Sequence, residues 1–215
     1  MNILEQFKRQ IDLVDYSKLG FPITILGAGG IGSWTALMLG KMGCQNISVV
    51  DDDQVEEHNV ASQFYTTDQL GHSKTGALNK NVLDHSGVEI LEYPISLQEK
   101  AIEEGGLVII AVDSMKARHQ INEQIKNRNV YVIDARMGGL QLEIYNCPAA
   151  SYHSTLCDPN LVQHEPCTGK AISFNCATIG SFIANYVRLY SKGELEDNAK
   201  GIILLFHKGI DLLRN

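Results

Sequence analysis

The stretch 23-ITILGAGGIGSW-34 decides the fold. Four residues, three of them apolar and three β-branched, run into a glycine cluster, and the cluster runs into a helix-forming segment. Gly27-x-Gly29-x-x-Gly32 therefore follows a strand and opens a helix. The first glycine permits a tight turn, the second lets backbone approach a ligand's phosphates, and the third lets helix pack on strand. The helix start adds unpaired N–H groups and a positive dipole end, so the stretch predicts a phosphate-bearing ligand. Asp51 follows 24 residues after Gly27, at the end of the next apolar run, where a carboxylate accepts from ribose hydroxyls.

Apolar runs recur outward from this point. Strands are predicted at 23–26, 47–51, 88–93, 107–112 and 130–134. Helices are predicted at 31–42, 74–84, 97–104 and 114–126. Ser73 and Asp113–Ser114 read as helix starts, and Gly43, Gly87 and Gly105 as helix stops. Such alternation predicts an α/β fold, a Rossmann-like and mostly parallel sheet with helices on both faces. Past Arg136 the pattern changes. "GLQLEIYN" (139–146) alternates like a half-buried antiparallel strand, 147–171 has no clean periodicity, and an apolar helix at about 174–190 precedes "GIILLFHKG" (201–209). One domain is expected: a helical segment over 1–20, a nucleotide-binding part over 21–136, and antiparallel strands, crossover loop and helix over 137–215.

The chain has 215 residues, 44% hydrophobic and 20% charged, with a formal charge of −7. That balance argues against a nucleic-acid surface, which needs a basic excess. The first twenty residues lack the continuous apolar core of a secretory signal, and no run reaches membrane-span length, so a cytoplasmic protein is expected. Five cysteines, none in a C-x-x-C pair, read as free thiols.

Three further motifs narrow the ligand. "VVDDDQVEEHNVASQF" (49–64), "LGHSK" (70–74) and "IIAVDSMKARHQIN" (109–122) follow the glycine loop in order. With "GAGGIGS" they resemble the ThiF/MoeB/HesA family, adenylating enzymes related to ubiquitin-activating enzymes. The resemblance runs from "FKRQIDL" (7–13) through "TIGSFIANYV" (178–187).

It implies ATP and Mg²⁺ as cofactors and a small β-grasp protein, ubiquitin-like or a sulfur carrier, as partner. Gly27, Gly29, Gly30 and Gly32 would line the phosphates and Asp51 would hold the ribose. Asp53 would shape that corner and the metal environment, or be a solvated acidic turn. Asn59 would reach phosphate or ribose as an amide donor, or merely form a turn. Lys74, just after a helix cap, would neutralise phosphate charge, or be a surface lysine. Asp113 ends an apolar strand at the ligand edge of the sheet and would hold Mg²⁺; it also suits a helix cap. Arg118 is a weaker candidate, and Arg136 faces the same crevice or solvent. Arg9 matches an arginine that reaches across a homodimer into the neighbouring site; its plainer reading is a solvated helix arginine. Cys167 in "EPCTGKA" stands where relatives carry a cysteine that accepts the activated carboxyl, and a loop cysteine is an equal reading.

Two departures are visible. The family's arginine three residues after the asparagine is Ser62 here, so a charged phosphate clamp is missing unless Arg118 or Arg136 supplies it. The family's zinc pairs are absent; His153, Cys157, His164 and Cys167 have acceptable ligand types but no trusted spacing. The function implied is ATP-dependent adenylation of the partner's terminal carboxylate with release of pyrophosphate. A non-catalytic nucleotide-binding relative, or a nicotinamide-dependent Rossmann oxidoreductase, are the alternatives.

Overall fold

The computed structural model describes residues 3–96, 102–158, 171–205 and 211–214. Their centre is one eight-stranded sheet. β1 (Ile23–Leu26), β2 (Ile47–Val50), β3 (Leu91–Tyr93), β4 (Leu107–Ile110) and β5 (Tyr131–Gly138) are parallel. β6 (Gln141–Pro148), β7 (Asn198–Leu205) and β8 (Asp211–Arg214) add on antiparallel, in the order β3-β2-β1-β4-β5-β6-β7-β8. A short N-terminal turn of helix is α1 (Ile3–Gln6), and α2 (Gly30–Met42) crosses from β1 to β2. α3 (Glu57–Val60) and α4 (Lys74–Ser86) lie between β2 and β3. α5 (Met115–Ile125) joins β4 to β5, and α6 (Ala149–Tyr152) and α7 (Ser173–Lys192) follow β6.

Successive residues of a strand point to opposite faces, so the apolar runs of β1, β4 and β5 feed two cores. Ile23, Ile25, Leu107, Ile109, Ile133 and Ala135 pack under α2, α4 and α7. Leu26, Val108, Ile110 and Val132 pack with Ile121 and Ile125 of α5 and Tyr152 of α6 on the other face. Helix faces both sides of the sheet, as the alternation required.

The predicted boundaries move little. Ser73 caps α4, its hydroxyl accepting from the Gly76 N–H, and Gly43 and Gly87 end α2 and α4 in the left-handed region. The cap of α5 is Ser114 and not Asp113; the Ser114 hydroxyl accepts from the Ala117 N–H at 3.2 Å. The segment read as a strand from 88 is irregular until Leu91, because Val88 and Ile90 are buried by packing rather than by pairing. Of the helix expected over 97–104, residues 97–101 lie outside the described residues and 102–104 are not helical. β5 runs on past Asp134 to Gly138 because β6 pairs with it over its whole length.

One buried ionic cluster fixes the β5 side. Asp134 is fully buried and accepts from Arg118 Nε at 3.0 Å, from Arg136 Nε at 2.8 Å and Nη2 at 2.6 Å, and from the Tyr152 hydroxyl at 3.1 Å. Arg118 also donates to the Ala135 carbonyl, and Arg136 donates to Thr155 and lies over the Tyr145 ring, 4.1 Å from its centre. Burial alone would depress the Arg136 guanidinium; the Asp134 charge outweighs it and holds its pKa up. Replacing Asp134 with leucine leaves two buried guanidiniums without their carboxylate and should cost about 3–5 kcal/mol. Arg136→Met should cost less, since Asp134 keeps Arg118 and Tyr152. Urea denaturation midpoints of the two variants check the order.

Candidate functional site

Leu26, Val50, Ile110 and Asp134 form one row across the sheet. The residues just beyond that row, Gly27, Asp51, Ala111 and Ala135, therefore share its carboxyl rim. The chain leaves β1 toward β2 on one side, and β4 returns on the other. The rim between β1 and β4 is thus the point where strand order reverses, which is where open α/β sheets bind ligands.

The glycine loop is built around that point. Gly27 has φ +102°, and a Cβ there would lie 2.7 Å from the Ala111 carbonyl oxygen. A Cβ on Gly32 would meet the Gly27 carbonyl at 1.8 Å, and one on Gly30 the Cys176 sulfur at 2.9 Å. At Gly29 a Cβ would meet nothing within 4 Å, so backbone here borders open space. Gly29 is the N-cap of α2 and offers no side-chain cap; the helix ladder starts with the Ser33 N–H on the Gly29 carbonyl. The N–H groups of Gly30, Ile31 and Gly32 precede that ladder and stand at the positive end of the helix dipole.

Asp51 closes one side of the loop. Its carboxylate accepts from the Ala28 N–H at 2.6 Å and the Asp53 N–H at 2.9 Å. Burial pushes its pKa up, opposed by the Ala28 N–H and the Lys74 charge. The chain after Asp51 is stapled to the start of α4: Val55 N–H to His72 carbonyl, Gly71 N–H to Val55 carbonyl, and Lys74 N–H to Asp53 carbonyl. This brings Lys74 to the same corner. The side chain of Lys74 is only 8% exposed, and Nζ lies 2.7 Å from the exposed Asp53 carboxylate. Asp51, Asp52 and Asp53 bring their carboxylates within 4.8 Å of one another.

The segment from 59 to 65 lies against α2. Trp34 Nε1 donates to the Ser62 carbonyl, and the Phe64 N–H donates to Ser33 Oγ. Asn59 is buried and its side-chain oxygen accepts from the Glu56 N–H, leaving its amide N–H groups for another acceptor. Tyr65, which the motif reading passed over, is buried and donates from its hydroxyl to the Ala28 carbonyl at 2.7 Å.

Asp113 lies three residues past β4, exposed, with no hydrogen bond or ion pair to a described residue. Arg118 and Arg136 do not line the crevice as free cations. Both are committed to Asp134, so neither stands in for the arginine absent at Ser62, which is itself buried. Arg9 is exposed in a turn at the far end of α2. Its neighbours anchor it there: Gln10 donates to the Lys41 carbonyl, and Phe7 stacks on Tyr16 beside Gly43. The 13 residues of α2 span about 20 Å, so Arg9 stands that far from its own glycine loop. Cys167 and His164 lie outside the described residues. Of the zinc candidates this leaves His153, whose ring contacts the Ala150 carbonyl, and the exposed Cys157. Burial raises the thiols of Cys147 and Cys176 to about 11 and that of Cys44 to about 12, which keeps all three protonated and unreactive at neutral pH.

A family model described as the ThiF family matches residues 9–207. The chain belongs to the ThiF family. This ThiF-family chain is 33% identical over 138 residues to Ubiquitin-like modifier-activating enzyme 5 of Drosophila melanogaster, covering 54% of this chain and 33% of that protein. It is 32% identical over 116 residues to the NEDD8-activating enzyme E1 catalytic subunit of Arabidopsis thaliana, covering 52% and 25%. With the Adenylyltransferase and sulfurtransferase MOCS3 of Caenorhabditis briggsae it shares 29% over 162 residues, covering 66% and 40%. The chain thus spans between a quarter and two fifths of these relatives. Among solved structures, PaaA superposes with a TM-score of 0.79 at 17% identity, covering 98% of this chain and 73% of that one. E. coli MccB with AMPCPP and MccA gives 0.78 at 16% identity, covering 100% and 72%. Both share the ThiF-family fold.

Because Arg118 and Arg136 are held by Asp134, a guanidinium introduced by Ser62→Arg would meet no like charge from them. In the ATP site proposed below it should tighten ATP roughly tenfold through charge-assisted bonds. Calorimetric dissociation constants for the two proteins check this; unchanged or weaker binding would mean that another cation already serves the phosphates.

Proposed function

We propose that this chain adenylates the terminal carboxylate of a small β-grasp protein, ubiquitin-like or a sulfur carrier, using ATP and releasing pyrophosphate. The observation that carries the reading is the convergence of the glycine loop, Asp51, Lys74 and Asp113 on one rim of the sheet. A nicotinamide enzyme would use the loop and Asp51 and leave Lys74 and Asp113 without a joint role.

The residues fit ATP. Backbone at Gly29 borders open space, where a side chain would otherwise stand, and the α2 start faces it with uncapped N–H groups. Asp51 would accept from ribose hydroxyls, and the side-chain amide of Asn59, whose oxygen is taken by the Glu56 N–H, would donate to ribose or phosphate. Lys74 would face the triphosphate, and its pairing with Asp53 would keep the ammonium in place until phosphate takes over as acceptor. Asp113 fits Mg²⁺: it is an exposed carboxylate with no partner among the described residues, two residues past the Ala111 carbonyl that Gly27 approaches, and Asp53 would help shape the metal environment. Magnesium bound there would offset triphosphate charge and orient the pyrophosphate leaving group.

In the reaction a carboxylate oxygen of the partner attacks the α-phosphorus, and the bond to the β-phosphate oxygen breaks. This chain aligns the two reactants and supplies positive potential from the α2 start and Lys74 as negative charge shifts onto the leaving group. Arg9 cannot serve its own crevice from the opposite end of α2, so a role for it requires a second copy, a homodimer with shared sites. Whether Cys167 then receives the acyl group is decided by trapping a thioester.

A second reading has one observation behind it. Ser62, with Arg118 and Arg136 both committed to Asp134, favours a nucleotide-binding relative that has lost catalysis.

ATP–pyrophosphate exchange with candidate carrier proteins separates the two. Asp113→Asn should lower exchange by roughly a hundredfold or more while Ser114 still caps α5, so its thermal midpoint should stay within a few degrees of wild type. Near-wild-type exchange in that variant removes Asp113 from the site, and ATP binding without exchange assigns the scaffold.

Mixing Arg9→Ala chains with Asp113→Asn chains should restore exchange, since each mixed dimer rebuilds one intact site. Full activity in a protein that sediments as a monomer excludes the shared site.

A further inference from the structure

Tyr65 lies between two sequence motifs and belongs to neither. It is buried, 6% exposed, yet its hydroxyl reaches two backbone oxygens: the Ala28 carbonyl at 2.7 Å and the Lys74 carbonyl at 3.3 Å. A phenol carries one proton, and the shorter contact takes it. The Lys74 carbonyl is the weaker second arm.

The Ala28 acceptor is what gives the bond consequence. The carbonyl of Ala28 and the N–H of Gly29 belong to one trans peptide plane, so they point in opposite directions. With the carbonyl turned in to Tyr65, the Gly29 N–H is turned away from it, on the side where a Gly29 Cβ would find nothing within 4 Å. The preceding peptide is fixed as well, since the Ala28 N–H donates to Asp51 at 2.6 Å. The loop otherwise has little to resist rotation of the 28–29 plane. Glycine stands on both sides of Ala28, and a flip would aim the carbonyl dipole at an incoming anion.

We propose that Tyr65 is a positioning residue that locks the Ala28–Gly29 peptide with its N–H toward the crevice, so that the loop presents a donor rather than an acceptor to nucleotide phosphate. The inference rests on the ATP reading above. Burial and the nearby Asp51 and Asp53 push the Tyr65 pKa well above its usual value, so the phenol keeps the proton that the lock needs. The weaker contact with the Lys74 carbonyl ties the same hydroxyl to the first turn of α4. The group that orients the loop therefore also touches the backbone that carries the candidate phosphate lysine.

Tyr65→Phe keeps the ring and removes the donor. ATP affinity should fall about tenfold, the effect of one well-placed N–H bond to phosphate, while adenosine affinity should not change. Gly29→Pro deletes the N–H itself; the φ of −76° and the open space at Gly29 suit proline. It should weaken ATP to a similar extent, and adding Tyr65→Phe to it should cost nothing more. Equal weakening of ATP and adenosine, or additive losses in the double variant, would reduce Tyr65 to a core residue and overturn the inference. The Gly29 amide resonance reads the lock without nucleotide. It should shift in ligand-free Tyr65→Phe, and an unmoved resonance overturns the inference. If wild type fails to bind ATP, the proposed function falls, and the Gly29 resonance still decides the lock.

Discussion

Backbone meets backbone where Gly27 passes the Ala111 carbonyl, with a left-handed φ and no room for a Cβ. That approach joins the loop after β1 to the loop after β4 and so creates the crevice. α2 can start where it does only because the turn at Gly27 is this tight, and Gly32 can lie on the Gly27 carbonyl only because it too lacks a side chain. Asp51 reaches the Ala28 N–H because the next parallel strand ends in register with β1. Lys74 and Asn59 arrive through the chain between β2 and α4, which is stapled back on itself beside that carboxylate. The site is thus a consequence of strand register together with two positions that admit no Cβ.

Much of this was legible in the residues. Runs such as "ITIL", "ISVV" and "LVII" each bury both faces of a central parallel strand, and nothing about them depends on distant contacts. Glycines at 43 and 87 ended helices for a local reason, their left-handed backbone. The antiparallel addition announced itself by alternation at 139–146. What stayed hidden depends on partners far apart in sequence. Asp134 reads as the last residue of an apolar strand, and only the return of α5 and α6 shows two arginines and a tyrosine converging on it. Arg118 and Arg136 looked available to the crevice because a sequence does not show which cation a buried carboxylate has claimed. Tyr65 carried no motif at all; its one cue was an aromatic residue between two polar stretches. The strand expected from residue 88 failed for a similar reason: an apolar residue can be buried by a helix above it without pairing.

The two charged groupings of the molecule follow opposite logic. Around Asp134 two guanidiniums and a phenol converge on a fully buried carboxylate, and the cluster holds β5, α5 and α6 together. Around Asp51, Asp53 and Lys74 the ion pair is half open to water, and Asp113 on the same rim has no partner among the described residues. A closed network is suited to holding shape, and an open one to exchanging partners. Ser62 is buried beside α2, its carbonyl accepting from Trp34 Nε1, and takes no part in the Asp134 cluster.

Gly180 lets α7 approach α2 so closely that a Cβ there would stand 3.0 Å from the Thr35 nitrogen. On its other flank α2 holds Phe64 through Ser33 and the Ser62 carbonyl through Trp34. The helix behind the glycine loop is therefore gripped from two sides by segments that are remote in the chain. Its amides should open to solvent only when the whole core does, making α2 among the last places to take up deuterium. The glycine loop is in this way mounted on a helix held by two remote segments, which limits how far the start of α2 can shift.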